Sequence, residues 1–180
     1  IDQDGFAVWE DCDDNNSNIY PFAGDTYNDG EDSDCDGLDC EAASDGNTYF
    51  ALCFDSSTRI DAQQKCNDNG YDGLTSIISA NEQDFLNTLS LAEGTDKWHF
   101  WTGYSDALEE ANWLWDSGMV STYENWRNDE PNNANGDQHC SWFGGSTYIY
   151  QGQWHDDPCN ITQTEDSSGI FQLGFVCEKR

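Results

Sequence analysis

An α+β domain preceded by an irregular acidic segment is the fold class that the 180-residue sequence predicts. Three observations point to it. Two helix-period segments lie early in the chain, and several aromatic-rich, strand-like runs follow them. Between those runs lies a long polar stretch, residues 121–138, containing Gly, Pro and several Asn. A long loop inside a compact domain is usually functional or held by a ligand.

Residues 1–45 read as loop throughout, dominated by Asp, Asn, Gly and Ser with no lasting apolar period. The character changes near Gly46, which divides the chain into an acidic segment, 1–45, and a folded domain, 46–180. Residues 48–52 form a strand in this reading. A helix follows over 58–66, with Ile60, Ala62 and Cys66 on related faces and Asn69-Gly70 as its stop. A second helix spans 81–91 with Phe85, Leu86 and Leu89 as its apolar stripe; Ser79 and Glu82 fit a capping box at its start. After Lys97 helices cease. Residues 98–104, 140–143, 148–154 and 169–178 are each strand-like.

The composition narrows the function. The formal net charge is -30, from 36 acids and 6 bases. Such a chain repels nucleic acid and anionic membrane, and hard divalent cations held by oxygen are its natural counter-ions. The acids are unevenly spread: residues 1–45 hold 15 of them and no Lys or Arg, and the first base is Arg59. Aromatic residues make up 14% of the chain, with eight Trp, which is enough for a real core. Eight Cys without a CxxC pair, and with only His99, His139 and His155 beside them, indicate disulfides in an oxidising, extracellular setting rather than zinc. No apolar run reaches membrane-spanning length, so no membrane insertion is expected, and no signal peptide is visible, as in a mature or trimmed form. Asn15 and Asn160 fit glycosylation sequons, which mean surface loops wherever the source glycosylates.

Asp32-Ser33-Asp34-Cys35-Asp36-Gly37 fits the opening of an EF-type calcium loop, with acids at alternate positions and Gly for the sharp turn. Ala43 stands at the closing position, so Asp39, Glu41 or water must complete the shell. Asp2 and Asp4 before Gly5, with Asp11 as the closing acid, give a second partial match whose first ligand would precede Ile1. Asp11, Asp13 and Asn15 form a third cluster. This quarter of the chain, with Ile19-Tyr20-Pro21 between the acidic runs, resembles bacterial metal-binding repeats related to thrombospondin type 3 loops, although it lacks their middle Cys.

The rest of the chain carries a series of motifs in a fixed order: Phe100-Trp101-Thr102-Gly103-Tyr104, then Trp113-Leu114-Trp115-Asp116-Ser117-Gly118, Glu130-Pro131-Asn132 and Trp154-His155-Asp156, set among Cys66, Cys140, Cys159 and Cys177. With these, the sequence from about Cys40 to Arg180 resembles the C-type lectin-like domain in its long form. The first motif looks like the family's WIGL strand, the second like its Trp-x-Trp turn and the third like its EPN sugar motif, while Trp154-His155-Asp156 stands where the family has Trp-Asn-Asp and the four Cys fall at the framework positions. The resemblance implies two helices, antiparallel strands and a long calcium-binding loop region. It also implies the pairs Cys66–Cys177, Cys140–Cys159 and Cys40–Cys53, which leaves Cys12–Cys35 in the acidic segment.

The same resemblance implies a Ca2+ ion whose open positions take two vicinal sugar hydroxyls, with Pro131 cis. Its ligands by position are Glu130, Asn132, Gln138, His155 and Asp156. Of these, Glu130, Asn132, His155 and Asp156 would also meet the sugar, of mannose, glucose or fucose type. Two residues depart from the family pattern. Gln138 replaces the usual Glu, and His155 the usual Asn; imidazole is a poor ligand for calcium. A small loop shift would let Asp137 or Asp157 compensate. An auxiliary calcium site is half present as Asp106 and Glu110, with Asn133 and His139 where acids are usual.

Two functions follow. The first is calcium-dependent glycan binding. The second is a calcium-rigidified structural subunit of an extracellular filament, adhesin or matrix, in which the fold contacts neighbouring modules or copies of itself. An enzyme is not expected: no nucleophile–base signature, phosphate loop or HExxH occurs, and His155 and Asp156, as strand neighbours, would point to opposite faces.

Overall fold

The computed structural model describes residues 4–7, 9–91, 97–166 and 169–180. Its elements run β1 (Glu41–Ser44), β2 (Tyr49–Cys53), α1 (Arg59–Asp68), β3 (Gly73–Leu74), α2 (Ala80–Leu89), β4 (Trp98–Ser105), β5 (Leu114–Trp115), β6 (Cys140–Gly144), β7 (Trp154–Asp157), β8 (Gln163–Asp166) and β9 (Gly169–Lys179). The strands form one sheet in the order β1-β2-β9-β4-β6-β7, with β3 and β8 on β9 and β5 on β4. Among the described strands of this sheet, only β4 and β9 pair in parallel. Two helices and mostly strands make this the expected α+β, C-type lectin-like fold.

The central strands are buried on both faces, so their sequences are continuous apolar runs rather than alternating ones. In β2 all five residues are buried. Alternation instead sorts them between two cores. Tyr49, Ala51 and Cys53 join Trp101, Trp142, Leu173 and Phe175 on one side. Phe50 and Leu52 join Leu86, Phe100, Phe143, Trp154 and Val176 on the other. Each central indole nitrogen has an acceptor: Trp101 donates to Ser57 O, Trp142 to Asp157 Oδ2 and Trp154 to Gln83 Oε1. Buried Trp therefore leaves no donor unsatisfied at these three positions.

Both helices begin as their caps prescribe. Thr58 accepts from the Asp61 amide and Ser79 from the Glu82 amide. Glu82 returns its bond to Ile78 rather than to Ser79, one residue earlier than a strict capping box. Ile60 is a correction: it is 69% exposed, and the buried face of α1 is Arg59, Ala62 and Cys66. Residues 59, 62 and 66 share a face at helical spacing, whereas 60 lies a hundred degrees away. Arg59 can be buried because its Nε donates to Thr102 O and its Nη2 pairs with Asp116.

Two further expectations are corrected. The strand placed at 148–154 begins only at Trp154, because the preceding chain turns through Gly152 at φ +76°. The acidic segment is not loop to its end, since Glu41–Ser44 pairs with Tyr49–Cys53 as β1. Its Glu-Ala-Ala-Ser sequence has no strand signature of its own; pairing with β2 makes the strand. All four disulfides form as the resemblance implied: Cys12–Cys35, Cys40–Cys53, Cys66–Cys177 and Cys140–Cys159.

Candidate functional site

The long loop folds over the start of β7. Trp126 and Trp154 form a parallel bridge, tied by bonds from the Arg127 amide to Trp154 O and from the Trp154 amide to Asn125 O. The Glu130–Pro131 peptide is cis. Asp156 then anchors the loop: its Oδ1 accepts from the Asn132 amide at 3.1 Å and its Oδ2 from the Asn133 amide at 2.7 Å. The loop, β7 and neighbouring strands enclose a cavity of ≈ 190 Å³ bordered by Arg127, Glu130, Asn132, Gln138, His155 and Asp156.

Each expected ligand except Asp137 therefore meets at one place. Asp137 is exposed and does not border the cavity. Gln138 is oriented at both ends of its amide, with its oxygen accepting from the Ala134 amide and its nitrogen donating to Asp157 Oδ1 at 2.9 Å. Glu130 Oε2 accepts from Asn132 Nδ2 at 2.8 Å. Burial, and then the Glu130 carboxyl hydrogen-bonded to it, push Asp156 up to about 6. Burial also raises Glu130, against the pull of Asp156 and of Arg127 nearby. Neighbouring carboxyls repel when both are ionised and a hard cation between them would relieve that repulsion, so Glu130, Asn132 and Asp156 suit one.

His155 does not suit that role. Its ring is stacked on Trp142 at 4.2 Å between centroids, and Trp142 is stacked in turn on His99 and His99 on Phe171. Its Nδ1 faces Glu130 Oε1 at 3.4 Å and its Nε2 faces Tyr148 Oη at 3.3 Å. Both nitrogens are occupied by polar partners, so His155 positions Glu130. His155 and Asp156, adjacent in β7, both border the cavity beside Glu130. Nothing in the sequence signalled the four-ring stack, because its members come from β4, β6, β7 and β9.

Among the described residues, two sets of three or more ligand-type side chains converge to within 4.8 Å: Asp106, Glu110 and His139, and Asp32, Asp34 and Asp36. Asn133 accepts from the Gln138 amide through its Oδ1 at 3.1 Å. The second set sits against the folded domain. Tyr49 donates to Asp34 Oδ2 at 2.8 Å, and Tyr71 donates to Asp36 Oδ2. Burial and the neighbouring Asp36 push Asp34 up to about 7, and both phenols are raised by burial beside these acids.

Asp39 and Glu41 lie outside that set and accept from the amides of Asn28 and Tyr27, while Asp39 borders a common cavity with Asp32. Asp4 accepts from the Phe6 amide, Asp11 from that of Asp13 and Asp13 from that of Asn15; none belongs to either converging set. Asp2 lies outside the described residues. Asp25 is an addition that spacing did not suggest. It is 3% exposed, its Oδ1 accepts from Ser33 between Asp32 and Asp34, and its buried Oδ2 has no hydrogen-bond partner among the described residues. Burial pushes it up to about 6.

A family model described as Lectin C-type domain matches residues 55–179. Lithostathine-1 of Mus musculus is 29% identical over 136 residues, covering 73% of this chain and 74% of that protein. A lectin of Pleurodeles waltl is 30% identical over 126 residues, 69% of each chain. Among solved structures, the cow C-type carbohydrate-recognition domain of CD23 in the presence of GlcNAc2Man3 oligosaccharide is 26% identical. It has a TM-score of 0.58 and covers 73% of this chain and 87% of that one. Fold, disulfide framework and family match agree, and the chain belongs to the C-type lectin domain family.

Proposed function

We propose that this chain is an extracellular, calcium-dependent carbohydrate-binding module of the mannose, glucose or fucose type, and not an enzyme. The observation that carries the reading is the contact of the Glu130 and Asp156 carboxyls at the cavity that Asn132 and Gln138 also border. When bound, Ca2+ would be held by Glu130, Asn132 and Asp156 and would supply open positions for vicinal sugar hydroxyls. Glu130 accepts a hydroxyl hydrogen bond and the Asn132 amide donates one, which discriminates diols by orientation. Four disulfides support an oxidising, extracellular setting. Among the described residues no helix is long and apolar enough to cross a membrane.

The test is an array of mannose-, glucose- and fucose-terminated glycans probed in calcium and in excess chelator. Binding should vanish in chelator and fall more than about tenfold in Glu130→Gln. Equal binding of the wild type in both conditions overturns the reading.

A second reading is supported by the convergence of Asp32, Asp34 and Asp36 against Tyr49 and Tyr71. In it, residues 1–45 are a calcium-stiffened connector to a neighbouring module or another copy. Loss of a larger assembly on calcium removal, with glycan binding absent throughout, would favour it over the first.

A further inference from the structure

We propose that Arg127 is a specificity-determining residue of the sugar site and selects glycans that carry an acidic group, a uronate carboxylate or a sulfate ester. The inference rests on the calcium-dependent sugar reading above and names the substrate class of that site. It starts from a charge that the fold leaves without an opposite one. In a chain of 36 acids and 6 bases, Arg59, Lys65, Lys179 and Arg180 each pair with a carboxylate. The half-buried Arg127 guanidinium has a phenol and a ring instead, among the described residues. Its Nη1 donates to Tyr148 Oη at 3.3 Å, and its central carbon lies 4.2 Å from the centroid of the Tyr150 ring. Fastening the loop does not require this side chain. The Arg127 backbone does that, its amide donating to Trp154 O and its carbonyl accepting from the Glu130 amide, each at 3.0 Å.

Arg127 stands where a ligand would meet it. It borders the sugar cavity and also a second cavity of ≈ 400 Å³, which it shares with Trp126, Asn128, Asp129, Tyr150 and Gln153. A short series of contacts runs from it to the ion site. Tyr148 Oη faces His155 Nε2 at 3.3 Å, and His155 Nδ1 faces Glu130 Oε1 at 3.4 Å. Calcium held by Glu130 and Asp156 would offset both of their charges. Asp157 is already engaged by donors from Trp142 and Gln138, and Asp129 is exposed to solvent. The guanidinium then stands beside the bound sugar as a positive group with open donors. A guanidinium presents five N–H donors in a planar fork, which matches a carboxylate or sulfate through two parallel bonds. Stacking on Tyr150 fixes the plane of that fork before the ligand arrives. At physiological ionic strength charges beyond about 8 Å are largely screened, so these near groups outweigh the acidic surface at large.

The probes are methyl α-mannoside, its C6 uronate and its 6-sulfate, which share the ring diol and differ only at C6. The full chain is titrated with each by calorimetry, in calcium at about 0.15 M salt. The readout is the ratio of acidic to neutral affinity. In the unmodified protein one or both acids should bind about fivefold tighter than the neutral sugar or more, and the two acids distinguish a carboxylate from a sulfate. Arg127→Gln should bring the ratio close to one, with near-UV circular dichroism checking that it remains folded. If the neutral sugar binds in calcium and neither acid binds tighter, the inference is overturned and the sugar reading stands. A preference for acid that persists in folded Arg127→Gln also overturns it. If none of the three binds in calcium, the sugar reading fails and the inference falls with it.

Discussion

His155 concentrates the chemistry of the loop in one side chain. It is 5% exposed, stacked on Trp142, and lodged between Glu130 and Tyr148. A side-chain amide there would offer a hard oxygen to calcium in place of an imidazole. It would also abandon the ring stack, which is worth about 0.5–1.5 kcal/mol beyond the area it buries. His155→Asn should therefore raise calcium affinity while lowering the thermal midpoint in chelator. Calorimetry with calcium and a melt in EDTA check the two halves separately. Tighter calcium binding with no loss of stability would mean the stack contributes nothing.

At the level of elements, β9 is held so closely that its composition is constrained. A Cβ built at Gly174 would lie 2.3 Å from Cys53 O and 3.3 Å from the Phe100 ring, between β2 and β4. The obstacle is backbone rather than the end of a flexible side chain. Gly174→Ala should cost about 1–3 kcal/mol or more, read as a fall in denaturant midpoint with unchanged slope. The acidic segment is governed by charge instead. Burial raises Asp25 to about 6, so the folded state favours its protonated form. An acid with a raised folded pKa contributes stability that is complete below its unfolded value near 4 and is lost as the pH rises through about 6. In chelator the wild type should melt lower at pH 7.5 than at pH 4.5, and Asp25→Asn should lessen that fall. An equal fall in the two proteins would remove Asp25 from the account.

Across the whole molecule, 36 acids face 6 bases, and the imbalance is steepest before residue 46. The segment is joined to the domain at its end by the pairing of β1 with β2 and the Cys40–Cys53 disulfide. Before residue 40, Phe22 packs edge-on against Tyr49 and Tyr71, Tyr27 packs against Phe54, and two phenols hold Asp34 and Asp36. Like charges a few Å apart repel by several kcal/mol at moderate dielectric, so a divalent ion among these carboxylates would stabilise the docked state through coupled binding. Limited proteolysis should cut the segment before residue 40 faster in chelator than in calcium, while the domain resists in both. Equal resistance of the segment in the two conditions would remove calcium from its stability.

Much of the domain was legible in the linear sequence because its signals are local. Ser79 and Thr58 cap helices with their own neighbours three residues on, and Tyr49–Cys53 is apolar throughout because both its faces are covered. The four cysteine pairs and the cis Glu130–Pro131 bond were expected from the family resemblance and not from spacing alone. What spacing could not convey depends on residues far apart in the chain. Glu41–Ser44 is a strand only because Tyr49–Cys53 lies beside it. Asp39 and Glu41 fit a loop pattern yet accept from Asn28 and Tyr27 across a turn. His155 stands in a ligand position but is held by rings from other strands, and His139 becomes a metal-type donor only when β6 brings it to Asp106. Sequence determined which groups were available; tertiary packing decided which of them share a site, because coordination and stacking act over a few Å and are indifferent to separation along the chain.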